Sequence, residues 1–197
     1  MNAFAQRLNR AGRLPTLALA LSVFAASAAQ AIPIHYSVTF SGAAESPPSA
    51  SPGTGYGDVD VDTGTHQMHL FIVFSGLIGQ VSAAHIHAPT LVAGTGTAGV
   101  ATMTPTFLGF PGGVSAGLYE MTFDMSQASS FNPTYIANNG GTPLSAAAAL
   151  YQAMADGKAY FNIHTNAFPG GEIRGFLTPT AVSEETTSFG QVKTLFR

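Results

Sequence analysis

Two stretches decide how this chain reads: Ala84-His85-Ile86-His87-Ala88-Pro89, and Ala159-Tyr160-Phe161-Asn162-Ile163-His164-Thr165, which runs on to Pro169-Gly170-Gly171-Glu172-Ile173-Arg174-Gly175. Both alternate in the manner of β-strands. Side chains at i and i+2 of a strand share one face. Ile86 therefore opposes His85 and His87, while Ala159, Phe161 and Ile163 form an apolar face opposite Tyr160, Asn162 and His164. With the apolar faces turned to a core, three histidines stand on the outer face of one domain. Such a set either holds a metal ion or lines a polar surface.

The same period of two recurs along the chain. Ile34, Tyr36, Val38 and Phe40 mark a first strand, Val59 and Val61 between Asp58, Asp60 and Asp62 a second, and Met68, Leu70, Ile72 and Phe74 a third within His66 to Ser75. Asp62-Thr63-Gly64-Thr65 supplies the turn that makes the second and third a hairpin. Strands are further expected over 82–88, 118–124, 158–164 and 171–177. The segment from Thr90 to Gly117, rich in Gly, Thr and Pro, reads as long loops around a short strand. Thr142-Pro143 is an N-cap followed by proline at the first helical position, and Gly157 a stop, so 144–156 is expected to be the one short helix. This pattern predicts an all-β fold, a Greek-key β-sandwich or flattened barrel of about 7–8 strands.

The first 31 residues do not belong to that fold. Arg7, Arg10 and Arg13 precede a short apolar run, Leu14 to Phe24, and Ala29-Gln30-Ala31 fits a signal-peptide cleavage site, with cleavage after Ala28 the second choice. The run is short for a bilayer span, and no later stretch approaches the length needed. The expected organisation is a signal peptide at 1–31, a β domain at 32–179, and a tail at 180–197. In that tail Phe189, Val192 and Phe196 fall on one helical face after a cap-like Ser188. The expected compartment is secreted or periplasmic.

Without the three leader arginines, the seven basic residues fall to four against ten acidic ones, a net charge near −6. That excludes a phosphate-binding basic surface, hence nucleic acid, and argues against anionic lipid. The absence of cysteine excludes a disulfide framework, so stability must come from a core. Cysteine nucleophiles, Gly-x-Ser-x-Gly and phosphate-loop motifs are also missing.

Three ordered motifs resemble a CHRD domain, the module named after chordin: Ser41-Gly42-Ala43-Ala44-Glu45-Ser46-Pro47-Pro48, the Ala84–Pro89 stretch, and Tyr160–Thr165 with Pro169–Gly175. They span about Ile34 to Leu177. Ser46 replaces a usual apolar residue and Ala88 a common glycine. The resemblance implies a β-rich extracellular module and leaves its chemistry open. A second, partial resemblance is to the copper–zinc superoxide dismutases, Greek-key barrels that hold copper through a His-x-His strand and a later histidine ahead of a functional arginine. His85, His87, His164 and Arg174 occur in that order. No zinc-ligand set or disulfide pair accompanies them, and only nine residues separate His164 from Arg174.

The candidate metal ligands are thus His85, His87 and His164, with His69 a candidate fourth. Residues i and i+2 lie about 7 Å apart, so two imidazoles can lean to one ion and a third from a neighbouring strand completes a site open to solvent. Imidazole nitrogen suits copper, ahead of zinc in the affinity order. Asn162, Glu172 and Arg174 are expected as supporting residues, with Arg174 clamping Glu172 or a loop carbonyl. Asp58, Asp60 and Asp62 lack the Gly and Glu of a calcium loop and read as a solvated face. Three functions remain open: a non-enzymatic exported binding module with a copper-holding histidine cluster, a dismutase-like copper redox enzyme, and a metal-free adhesion or matrix module.

Overall fold

The computed structural model describes residues 33–180. The leader expected over 1–31 and the tail beyond Thr180 lie outside the described residues. Eight strands form one antiparallel sheet: β1 (Ile34–Ser41), β2 (Thr54–Asp62), β3 (Gln67–Ser75), β4 (Val81–His87), β5 (Gly117–Asp124), β6 (Tyr160–Thr165), β7 (Ile173–Phe176) and β8 (Thr178–Pro179). Their order is β4-β6-β7-β1-β2-β3-β5, and β8 also pairs with β1. The chain crosses from one end of this sheet to the other between β3 and β4, and back before β5. The fold is all-β with Greek-key-like connections, as the alternation predicts. No helix among the described residues is long and apolar enough to cross a membrane.

The sheet curls so that its two ends share a core. Phe161 of β6 packs edge-on against Phe40 of β1 at 5.4 Å between ring centroids, and lies 5.4 Å from Phe107. Phe107 in turn contacts Phe123 of β5 at 5.3 Å. Phe107 belongs to the long β4–β5 connection, so this loop supplies the aromatic plug between the sheet's ends. Around it lie the fully buried Val59, Met68, Leu70, Ile72, Ile86, Ile163 and Ile173. Each such side chain contributes roughly 1.5–3 kcal/mol on leaving water, which is how a cysteine-free chain holds this shape.

The Asp62 turn forms as expected: its Oδ1 accepts from the backbone N–H of Gly64 and Thr65 at 2.8 and 3.0 Å. His66, expected at the start of the third strand, instead closes the turn at φ +57°. β2 begins earlier than the valine pattern implies. Gly55 and Gly57 occupy its inward positions, where an added Cβ would press on Phe40, Phe74 and Ile72.

Two helices cap the β1 end and the loops, not one. The helix α2 (Pro143–Ala155) has a full capping box between Thr142 and Ser145. It ends at Gly157, φ +67°. A shorter helix, α1 (Pro133–Asn138), carries the same signature, with Asn132 accepting from the Thr134 N–H and proline at the first position. Only its brevity hides it from a periodicity argument.

A candidate metal centre

Register places the site. His85 of β4 faces Asn162 of β6, which faces Arg174 of β7, which meets Ser41 of β1. One step along, His87 faces Tyr160 and Tyr160 faces Phe176. His164 pairs with Ala83. All these side chains emerge on the face opposite Ala84, Ile86, Phe161 and Ile163, as strand alternation requires.

That face is not open. His85 and His87 are only 7% and 8% exposed, against the expectation of a solvent-facing site. Two connections cover the layer, β4–β5 with two carbonyl oxygens and β6–β7 with one, and each carbonyl accepts a hydrogen bond from one histidine. His85 Nε2 donates to Pro105 O at 2.7 Å, His87 Nδ1 to Ala98 O at 2.9 Å, and His164 Nδ1 to Pro169 O at 3.0 Å. Ala98 and Pro105 lie in the β4–β5 connection, which also bonds along the free edge of β4 through Ala101 and Phe107.

These carbonyls fix the tautomers, because a carbonyl oxygen only accepts. The proton of His85 therefore sits on Nε2, and those of His87 and His164 on Nδ1. The other nitrogen of each ring is a lone pair, and all three are buried without a hydrogen-bond partner: His85 Nδ1, His87 Nε2 and His164 Nε2. One nitrogen from each ring lies within 4.8 Å of the others, and the ring centroids are 5.3–5.7 Å apart. Burial lowers the pKa of all three. For His87, burial, only partly offset by its carbonyl and reinforced by repulsion from His164 and His85 once protonated and from Arg174, takes it down to about 4. At neutral pH the cluster is three closely set, uncharged imidazoles, each with one buried and unpartnered lone pair. Each orphaned acceptor costs about 1–3 kcal/mol if nothing meets it.

This set fits a metal ion. Bonds of about 2.0–2.1 Å put two nitrogens on one ion about 3.3–3.6 Å apart in tetrahedral or trigonal geometry and about 4.1 Å apart when opposite, so the nitrogens, now within 4.8 Å of one another, need draw in by about 0.7–1.5 Å at most. Backbone carbonyls on the far nitrogens are the usual second-layer support of metal-binding histidines.

The neighbouring residues divide into support and bystanders. Arg174 is buried and stands on this layer. Its Nε donates to Ala44 O at 2.5 Å and Nη1 to Gly96 O at 2.9 Å, and its guanidinium lies 4.7 Å from the Tyr160 ring centroid. Tyr160 in turn stacks on His87 at 4.9 Å with planes 5° apart. Arg174 thus clamps two loop carbonyls, one of the two expected alternatives. It does not clamp Glu172. Glu172 is fully buried elsewhere, receiving Ser51 Oγ and Thr165 Oγ1 at 2.6 Å, Gly79 N at 3.0 Å, and the Ile78 N–H. Burial alone pushes its pKa up, but these donors outweigh that and hold it below the ordinary value. Asn162 sits beside the histidines with its Oδ1 unpartnered. His69 is on β3, paired with Glu120 at 3.2 Å and Asp60 at 3.7 Å, and is not part of the histidine group.

Glu45 was not anticipated here. It is buried 3.8 Å from Arg174 Nε, and burial, against the pull of Arg174, raises its pKa to about 7. Gly171, φ +129°, leaves the space that Glu45 and Asn162 fill: a Cβ there would lie 2.5–2.7 Å from both. Neither Glu45 nor the carbonyls carry a sequence signal for the site, since loops lack periodicity and a carbonyl belongs to every residue, whereas alternation does put Tyr160 on the face of Asn162 and His164. For the loop residues, the tight Pro169-Gly170-Gly171 turn was the available pointer.

No curated protein and no solved structure matches this chain. The CHRD domain family matches residues 36–177, a stretch that contains β2 to β7, nearly all of β1 and all three histidines described above. The chain belongs to the CHRD domain family.

Proposed function

We propose that this protein is an exported binding module that holds a single copper ion through His85 Nδ1, His87 Nε2 and His164 Nε2. The observation that carries the reading is the set of three buried, orphaned lone pairs on neighbouring rings, each left by a carbonyl that takes the opposite nitrogen. Three neutral nitrogens favour Cu over Zn in the affinity order. A structural zinc site also wants four ligands, and among the described residues no carboxylate or further histidine joins this group. A bound ion would tie β4 to β6 and both to the covering loops. It would stabilise the fold by binding only the native state, in a chain with no disulfide.

A binding role is favoured over redox turnover by Arg174. Two of its nitrogens are committed to Ala44 and Gly96 and its plane to Tyr160, which makes it a clamp rather than a cation facing an incoming anion. The lone-pair nitrogens are closed to solvent as well.

The test is protein recovered from the exported fraction, untagged and without chelator, analysed for intact mass and metal. The reading predicts a chain beginning at Ile32 with about one copper per molecule. His85→Ala, His87→Ala and His164→Ala should each weaken Cu(II) binding at least about 100-fold, since each removes a direct bond. Equal affinity in all three variants would place the metal elsewhere.

A further inference from the structure

A second feature lies at the opposite end of the β1 strand from the histidine layer. A groove of about 380 Å³ runs between α2 and the start of β1, lined by Ile34, Tyr36, Leu144, Ala147, Ala148 and Tyr151 among others. Ile34 and Leu144, 42% and 51% exposed, are the two exposed large aliphatic side chains that stand together on this groove. We propose that the groove is the docking site of the protein's own segment 181–197, bound as an amphipathic helix through Phe189, Val192 and Phe196.

The course of the chain supports this occupant. β8 pairs Pro179 with Tyr36 and Thr178 with Ser37, so the chain runs antiparallel to β1 and toward its first residue. Thr180 donates its N–H to His35 O at 2.9 Å, one residue from Ile34 on the groove's rim. The next residues are therefore delivered to the groove's mouth. Phe189, Val192 and Phe196 follow at spacings of three and four, one face of a helix. The eight residues between Thr180 and Phe189 give ample reach, at up to about 3.3 Å each.

Charge agrees with this placement. Asp62 and Asp124 lie near enough to Tyr151 to add to the effect of its burial in raising that phenol's pKa to about 12. The described residues offer only Lys158 and Arg174 as Lys or Arg, the latter buried in the histidine layer. The tail as a whole is neutral, but its Glu184 and Glu185 precede Phe189 while Lys193 and Arg197 lie on the same stretch as Val192 and Phe196. A tethered helix needs little intrinsic affinity, because a short flexible linker gives an effective concentration in the millimolar range.

The chain has no cysteine, so introduced pairs report without background. Ala148 is exposed and tolerates the change. Under mild oxidation the full exported chain carrying Ala148→Cys with Val192→Cys should form an intramolecular disulfide at least about tenfold faster than Ala148→Cys with Thr194→Cys, whose second cysteine lies off the apolar face. Hydrogen exchange on the cysteine-free protein gives an independent reading: amides of 189–196 should be protected, and Leu144→Glu should abolish that protection while β-sheet amides keep theirs. Equal crosslinking of the two pairs, disulfide-linked dimers in place of the intramolecular product, or unprotected 189–196 amides would each overturn the proposal. None of these readouts depends on metal.

Discussion

At the scale of single residues, the histidine layer is an arrangement of neutral rings held against their solution tendency. His87 has a pKa of about 4 in the folded protein because burial disfavours its cation, against 6.5 for the free side chain. In the metal-free protein the unfolded chain thus binds a proton that the native chain refuses between those two values. Stability must fall as pH drops from about 6.5 towards 4, by up to about 1.4 kcal/mol per unit from this group. His85 and His164 act in the same direction. Glu45 acts in the opposite one: raised to about 7, it contributes fully below about 4.5 and that contribution fades as pH rises through 7. His35, raised by its hydrogen bond to Asp60, also favours the fold on acidification but is half-exposed, so the three buried imidazoles are expected to dominate and give a net loss. Urea unfolding of the metal-free protein at pH 7.0, 5.5 and 4.5 should show it, and His87→Ala should flatten the dependence. Identical slopes for the variant and the parent would remove His87 from this account.

Arg174 belongs to the same scale. Replacing it by Ala leaves the Ala44 and Gly96 carbonyls without their donor and removes the plane on which Tyr160 rests. The expected cost is about 2–4 kcal/mol of stability in denaturant unfolding. Arg174→Lys should rescue it poorly, because an ammonium lacks the planar fork that reaches both carbonyls. Copper affinity of the folded fraction should change far less than in a histidine variant. A loss of copper equal to that of His87→Ala would instead make Arg174 part of the ligand set's electrostatics.

At the scale of elements, alternation did most of the work and loops defeated it. The period of two placed β1, β3, β4, β5 and β6 within a residue or two, and Thr142-Pro143 with Gly157 placed α2. It missed the first half of β2, where inward Gly55 and Gly57 leave no apolar residue to count. It also missed what covers the histidines. Alternation reports which face a side chain takes, not whether a loop from elsewhere will lie on that face. So the juxtaposition of His85, His87 and His164 was legible, but their burial by the Ala98, Pro105 and Pro169 carbonyls was not. Glu172 shows the same limit. Its place in a strand-like run hid its role as the acceptor that fastens the Ser51 loop and the Ile78-Gly79 turn to β6. Glu172→Gln puts an amide donor against these N–H and O–H donors. It should destabilise the protein by about 3 kcal/mol or more, measured by urea unfolding, with the histidine cluster's metal affinity retained in the folded state. A variant as stable as the parent would show that the carboxylate's charge is dispensable there.

At the scale of the whole molecule, the curled sheet puts its apolar contents on one face and its ligand-bearing side chains on the other, with the long β4–β5 connection serving both. Phe107 of that connection plugs the core while Pro105, two residues earlier, holds His85. Fold and site are therefore coupled through one loop, and metal binding at the site should raise the thermal midpoint of the entire domain. The account rests on one claim, that a single ion sits where the three lone pairs meet. Diffraction from crystals of the copper-loaded protein, recorded above and below the copper absorption edge, tests it directly. The account predicts one strong anomalous peak, about 2.0–2.1 Å from His85 Nδ1, His87 Nε2 and His164 Nε2, with the Pro105, Ala98 and Pro169 carbonyl bonds intact. Copper found only at surface groups such as His35, His66 or His69, with this cluster empty, would contradict it.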